Sequence, residues 1–186
     1  MTKILTLLLF TISAFCFSQK YVDAVIIKSD NDTIKSKMKV STNIFYKNLI
    51  DEKSFYRVLL LLDENDKKKE KIKAIEVKKL LFTDFEGKQR IYVSVGKTLG
   101  QLMFDGKKIK WIRDILVNAY DGSVSYSDYL VDKSGEEYRF NGLFLNPRKR
   151  LIEATKSKPE LATLITDTDR FSDENVLNIL QKYDEQ

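Results

Sequence analysis

The sequence predicts a mainly β fold of the α+β class: an antiparallel meander of about eight or nine strands with two or three short C-terminal helices. Three observations predict it. β-Branched and aromatic residues recur in short runs, many of them with a period of two. Polar turn clusters separate these runs every ~8–12 residues, and the apolar period becomes helical over roughly the last 40 residues.

The first two runs predict a β-hairpin. Strands are expected at 21–28 and 33–41, joined by the turn cluster Ser29-Asp30-Asn31-Asp32. In the second strand, apolar and small residues alternate with lysines at every step. This alternation predicts a half-buried strand whose solvent face carries Lys35, Lys37 and Lys39.

The remaining strands follow at short intervals. They are expected at 55–62, 71–77, 79–85, 90–95, 109–118, 123–131 and 136–140. The apolar run 58–62 indicates burial on both faces, and Asp121-Gly122 favours a tight hairpin turn. Segment 96–106 fits either a loop or one turn of helix.

The segment 147–184 predicts helices. Asn146 is suited to cap a helix that has Pro147 at its first position. Ser157 to Glu160 has the spacing of a capping box ahead of a second helix. Ser172 is expected to cap a third helix, with Phe171 and Val176 placed for a hydrophobic staple.

The N-terminus predicts a signal peptide over residues 1–18. A short positive start precedes the apolar run 4–15, and small side chains stand at Cys16 and Ser18, as signal peptidase requires. Cleavage is therefore expected between Ser18 and Gln19, leaving a single β-rich domain over 19–186 and no transmembrane segment. A lipoprotein modified at Cys16 is the alternative, although Phe15 is large for the position before a lipidated cysteine.

The composition after cleavage excludes several chemistries. Residues 19–186 contain neither Cys nor His, so disulfides, thiol nucleophiles, histidine bases and Cys- or His-ligated metals are excluded. No cofactor and no metal is expected. The same residues carry 31 basic and 27 acidic side chains, a net charge of +4 with both signs interspersed.

Several short motifs match catalytic or metal-binding patterns only in part. Gly96-Lys97-Thr98 lacks the earlier glycine of a phosphate-binding loop, because position 91 is Ile. Ser36 and Lys39 have the spacing of an acyl-transfer pair but point to opposite faces of a strand. The loop 167–173 lacks the glycine of a calcium loop. No catalytic residue is therefore assigned.

Carboxylates and lysine clusters leave two functional hypotheses open. A hydrolase acting on glycans could use two carboxylates without histidine, and the candidates are Asp84, Glu86, Asp128, Glu136 and Glu137. The basic clusters 67–69, 107–110 and 148–150 could instead dock on an anionic envelope polymer or membrane surface. Solvated turn lysines are the simpler interpretation of these clusters. Export argues against nucleic acid as a partner.

Three stretches of the chain resemble uncharacterised secreted proteins of flavobacteria and other Bacteroidetes. They are the signal ending Phe17-Ser18-Gln19, the hairpin from Val25 to Lys37, and the tail from Ser157 to Tyr183. In the hairpin, Ser36 stands where the group usually has glycine. Asp32-Thr33-Ile34 is similar to an O-glycosylation acceptor of the Bacteroidetes. The resemblance implies no activity, cofactor or catalytic residue.

The sequence thus favours an exported, non-enzymatic protein of the periplasm, the cell envelope or the extracellular space. A binding or scaffolding role is expected, with envelope proteins or anionic envelope polymers as partners. The absence of catalytic motifs supports this expectation, although fold class by itself does not specify function.

Overall fold

The structure is a computed structural model that describes residues 19–43, 45–63, 65, 67–142 and 145–185. The expected signal peptide, including Cys16 and Ser18, lies outside the described residues. Gln19, expected to follow the cleavage site, is the first described residue and opens the first strand. The described residues form eleven strands and three α-helices, which confirms the mainly β fold class.

The chain divides into two compact units, Met1–Arg90 and Ile91–Gln186. Each unit has strands and buried apolar residues of its own, so each is described by itself. The expectation of one β-rich domain over 19–186 stays a prediction.

Unit 1 contains six strands in the spatial order β6-β1-β2-β4-β5, with β3 also paired to β2. Its 3-10 turns span Glu52–Ser54 and Ala74–Glu76. The strands are β1 Gln19–Lys28, β2 Thr33–Thr42, β3 Ile50–Asp51, β4 Val58–Leu62, β5 Lys68–Lys73 and β6 Val77–Thr83. All of their pairings are antiparallel.

One face of the unit 1 sheet is buried. Alternate residues of the strands point to this face, as a strand requires. Ile26, Met38 and Leu61 are fully buried there. Phe55, just after the first 3-10 turn, packs edge to face on Phe82 with a centroid distance of 5.7 Å.

Unit 2 contains a five-stranded meander in the order β7-β8-β9-β10-β11, and β7 begins at the end of unit 1. The strands are β7 Gln89–Val95, β8 Thr98–Asp105, β9 Ile109–Val117, β10 Val124–Asp132 and β11 Glu137–Arg139. The helices are α1 Pro147–Ala154, α2 Leu161–Asp167 and α3 Asp173–Asp184.

The three helices share a core with the C-terminal strands of unit 2. Trp111 and Leu130 of the sheet are buried together with Leu151, Ile165 and Leu180 of the three helices. The helices bury one apolar side each against the sheet. The apolar residues at the end of the chain therefore recur with a helical period instead of alternating. Each helix is too short to be stable alone and depends on burying its apolar side.

Two strands were not expected from the sequence. Segment 96–106, expected as a loop or a helical turn, forms β8 between β7 and β9 instead. Gly100 explains the close pairing, because a Cβ there would lie 2.8 Å from the Cγ2 of Ile112. The second is β3, whose two residues are recognisable only through their pairing with β2.

The helix caps correct one expectation. The side chains of Asn146 and Ser172 accept from Lys149 N at 3.2 Å and Asn175 N at 3.3 Å, as expected of caps. Ser157 does not cap α2, which begins only at Leu161 and has no side-chain cap. The Ser157 hydroxyl instead shares a 2.7 Å hydrogen bond with the Tyr183 hydroxyl.

Candidate functional site: the lysine face of unit 1

The positive charge of the chain is concentrated in unit 1. Residues 19–90 carry 17 Lys and Arg against 12 Asp and Glu, a net charge of +5. Residues 91–186 carry 14 basic against 15 acidic side chains, a net charge of −1. A binding surface for anions is therefore expected in unit 1.

The lysines of β2 form one row on the open face of the unit 1 sheet. Met38 and Val40 of the same strand point to the buried face. Lys35, Lys37 and Lys39 point the opposite way, and the first two are exposed while Lys39 is half-buried. The row was expected from the alternation in the sequence, and the burial pattern of β2 confirms it.

Four further lysines, three on β5 and one on β6, extend this row into a surface. The register places Lys71 beside Leu60 and Lys73 beside Val58, and both lysines therefore share the face of those β4 residues. Lys68 lies opposite Leu62, which itself lies opposite Lys37 of β2. On the other side of β1, strand β6 adds Lys79, which lies opposite Ile27. We call this set the lysine face: Lys35, Lys37, Lys39, Lys68, Lys71, Lys73 and Lys79.

Apolar side chains lie between the lysines, and of those that pair with β2 only Tyr21, opposite Lys39, is exposed, at 39%. Leu62 is buried, and Val25, Ile27 and Leu60 are half-buried. The aliphatic stems of lysines cover such apolar surface while their ammonium groups remain in water. The face is thus apolar at its base and cationic at its outer surface.

Acidic residues are few on this face. The register places Asp23 opposite Lys37, within the face, and Asp51 opposite Ser41, at its margin. The Asp51 carboxylate also accepts from Lys53 N at 3.1 Å, as the cap of the first 3-10 turn. Seven lysines against these two carboxylates leave the strand residues of this face with a formal charge of +5.

The other two basic clusters make structural contacts in unit 2. Lys108 donates its backbone N–H to Asp184 at 2.7 Å and its ammonium group to Tyr183 O at 3.1 Å. Arg148 donates to the carbonyl of Thr168 at 2.8 Å. The three clusters of the sequence therefore differ in role, because these cations bind helix ends while Lys68 of the 67–69 segment belongs to the lysine face.

Two of the five carboxylates that could serve a hydrolase, Asp84 and Asp128, accept hydrogen bonds that hold the fold together. Asp84 accepts from Arg90 Nε at 2.7 Å and from Lys88 N at 2.9 Å, inside the β6–β7 turn. Burial raises the pKa of Asp84, but these bonds outweigh it and lower the pKa below its ordinary value. Asp128 accepts from Trp111 Nε1 at 2.9 Å and Arg113 Nε at 2.8 Å.

The other three candidate carboxylates are exposed. Glu86 lies in the β6–β7 turn, Glu136 precedes β11 and Glu137 begins it. A hydrogen bond to Glu136, with burial, raises the pKa of Tyr138 to about 12. Among the described residues, no group of three or more acidic side chains is placed to hold a metal ion.

The loop between β2 and β3 presents the largest exposed aromatic side chains of unit 1. Phe45 is 88% exposed and Tyr46 is 70% exposed. The Asn43 carboxamide accepts from both of their backbone N–H groups, at 2.9 and 3.2 Å, and Lys20 Nζ donates to Lys47 O. The loop is therefore held in place while its aromatic rings remain in solvent.

Comparison with known proteins gave no match: no family model, no curated protein and no solved structure is similar enough to this chain to be assigned to it. None of the helices in the described part of the chain has the length and apolar character needed to span a membrane.

Proposed function

We propose that this chain is an exported, non-enzymatic binding protein of the cell envelope or extracellular space, and that the lysine face binds an extended anionic polymer. The observation that carries the proposal is the convergence of seven lysines from three strands on one sheet face of unit 1. Export rests on the signal-peptide pattern of residues 1–18.

The spacing of the lysines supports a linear polymer as the ligand. Alternate residues of a strand lie about 6.7 Å apart, so Lys35, Lys37 and Lys39 form a straight row roughly 13 Å long. The lysines of β5 form a second row about 10 Å away, because one strand lies between. Two parallel rows suit a chain with repeated acidic groups better than a single small anion.

The apolar base of the face favours a polymer over a lipid surface. Stable membrane association usually combines basic residues with apolar groups that enter the bilayer. On the lysine face, Leu62 is buried and Leu60 is half-buried, so neither offers a protruding apolar group. The most exposed aromatic residues of unit 1, Phe45 and Tyr46, belong to a loop outside this face, and Tyr21 on the face itself is only 39% exposed.

Binding to immobilised polyphosphate and polygalacturonate tests the proposal, with the protein beginning at Gln19. We expect binding whose logarithmic affinity falls linearly with the logarithm of salt concentration, since ammonium groups displace counterions from the polymer. A variant with glutamine at four positions of the face should lose most of this binding: Lys35, Lys37, Lys39 and Lys71.

The matched control removes four exposed lysines of unit 2, at Lys97, Lys133, Lys149 and Lys156, and should retain the binding. Equal losses in the two variants would show a general charge effect and contradict the proposal. Binding to vesicles with anionic lipids, without binding to either polymer, would replace the polymer with a membrane as the partner.

A further inference from the structure

The unit 1 sheet contains a groove at one end of the lysine face. It has a volume of about 480 Å³ and is lined by Lys35, Ser36, Lys37, Asp63, Asn65 and Lys69, with Leu62 at its base. Three lysines and one aspartate give this lining a formal charge of +2. The lining includes Lys69, the bulged residue between Lys68 and Glu70 of β5.

The groove exists because β2 extends beyond its pairing with β4. β2 pairs with β1 from Thr33 to Ser41, but with β4 only at Lys37 and Met38. β4 ends at Leu62, whose carbonyl accepts from the Ser36 hydroxyl at 3.0 Å. Among the described residues, no strand pairs with 33–36 on this edge.

The backbone of β2 directs a hydrogen-bond donor to the same edge. Farther along the strand, Ser41 N donates to Ser54 Oγ at 3.0 Å and Asn43 N donates to Leu49 O at 2.8 Å. Alternate residues of a strand direct their N–H groups to the same side. The N–H of Lys35 therefore points into the groove, whereas the N–H of Thr33 is bound to Asp32 Oδ1 at 2.9 Å.

The one carboxylate of the lining is committed to a turn. Asp63 Oδ1 accepts from Asn65 N at 2.9 Å and from Lys67 N at 2.8 Å, and these bonds shape the β4–β5 turn. Two backbone donors partly neutralise this carboxylate, so it opposes an incoming anion less than an unbonded one would.

We propose that this groove is an anion subsite that binds one phosphate or carboxylate group of the polymer. The Lys35 N–H donates to the acidic group, and the ammonium groups of Lys35, Lys37 and Lys69 surround it. Charge-assisted bonds from several donors to one acidic group are shorter and stronger than neutral ones. The inference rests on the proposed function, since the polymer supplies the acidic group.

The amide signal of Lys35 in ¹⁵N-resolved NMR spectra tests the subsite in the unmodified protein. Titration with inorganic phosphate, and separately with acetate, should shift this amide saturably and to lower field. The amide of Val40, whose N–H points to β1, serves as the control and should not move. Polyphosphate should shift the Lys35 amide at a much lower concentration of phosphate groups than free phosphate.

A pair of double variants separates the subsite from the rest of the face. K35Q/K69Q should weaken polyphosphate binding about tenfold more than K71Q/K73Q, since only the first pair lines the groove. Equal effects, with no shift of the Lys35 amide, would overturn the subsite and leave the proposed function standing. A saturable shift with phosphate but no polymer binding would support the anion site and overturn the proposed polymer.

Discussion

Arg113 and Asp173 join the sheet of unit 2 to its last helix. Arg113 lies on β9, and Asp173 is the first residue of α3. The guanidinium donates through Nη1 and Nη2 to the two oxygens of Asp173, at 2.8 and 2.7 Å. Its Nε donates to Asp128, which also accepts from Trp111. One arginine thus neutralises a buried carboxylate and fixes the start of α3.

Replacing Arg113 with alanine should destabilise unit 2 by about 3–5 kcal/mol, because Asp128 would remain buried without its cation. Asp173→Ala should cost only about 1 kcal/mol, since the Asp173 side chain is 57% exposed. Urea unfolding followed by the fluorescence of Trp111, the single tryptophan, measures both losses. Equal losses in the two variants would refute the assignment of Asp128 as the buried partner.

Both ends of α3 are held by ionised carboxylates, Asp173 and Asp184. Low pH should therefore destabilise the packing of this helix. The bidentate bond from Arg113 lowers the pKa of Asp173. Burial raises the pKa of Asp184, but the N–H groups of Lys108 and Lys107 outweigh it, and its pKa is lowered as well. A lowered folded-state pKa gives stability above the unfolded-state pKa, and that stability is lost as pH falls through the folded-state pKa.

Stability of unit 2 should therefore fall as pH drops below about 4, the ordinary range of aspartate. Urea midpoints from pH 7 to pH 2.5 measure the loss. The variant D173N/D184N should be less stable than the natural chain at pH 7 and should show a flatter decline. A decline equally steep in this variant would assign the acid sensitivity to other carboxylates.

The sequence predicted nine of the eleven strands and all three helices, because short-range patterns specify these elements. The lysine row of β2 is such a pattern, since alternation alone places Lys35 and Lys37 on one face. The contribution of Lys71 could not be predicted in the same way. It depends on β4 lying between β2 and β5, a pairing order that the spacing of residues does not encode.

Long-range partners were also beyond the sequence. Arg113 and Asp173 are 60 residues apart, and neither stands in a recognisable motif. Asp128 was named only as a possible catalytic acid, whereas it bonds to Trp111 and Arg113. For Asp173, the sequence offered one indication of a structural role. It lies in the first turn of a predicted helix, where a carboxylate complements the helix dipole.

Asp114 should destabilise the folded state at neutral pH. Burial raises its pKa, although the N–H of Ile115 and the Thr98 hydroxyl, at 2.8 and 3.2 Å, partly offset the effect. Ser127 lies opposite in the register, and its buried hydroxyl has no partner among the described residues. An asparagine at 114 would keep an acceptor oxygen and bring a donor towards that hydroxyl.

We expect Asp114→Asn to raise stability at pH 7 by roughly 1 kcal/mol, the scale of one satisfied hydrogen bond. A raised folded-state pKa gives stability that is complete below the unfolded-state pKa and is lost as pH rises. The advantage of the variant should therefore vanish below about pH 4. Asp132→Asn is the control: the Ser134 hydroxyl lowers the pKa of Asp132, so this change should destabilise at pH 7.

The aromatic loop between β2 and β3 should contribute almost nothing to folding through its rings. Phe45 and Tyr46 are mostly exposed, so F45S/Y46S should change the free energy of unfolding by less than about 0.5 kcal/mol. Phe55→Ala, ten residues away in the buried core, should cost about 3–5 kcal/mol. Asn43→Ala should cost about 1 kcal/mol, since its carboxamide binds two backbone N–H groups. Urea unfolding followed by far-UV circular dichroism ranks the three variants, and a large loss in F45S/Y46S would mean that the rings are buried in solution.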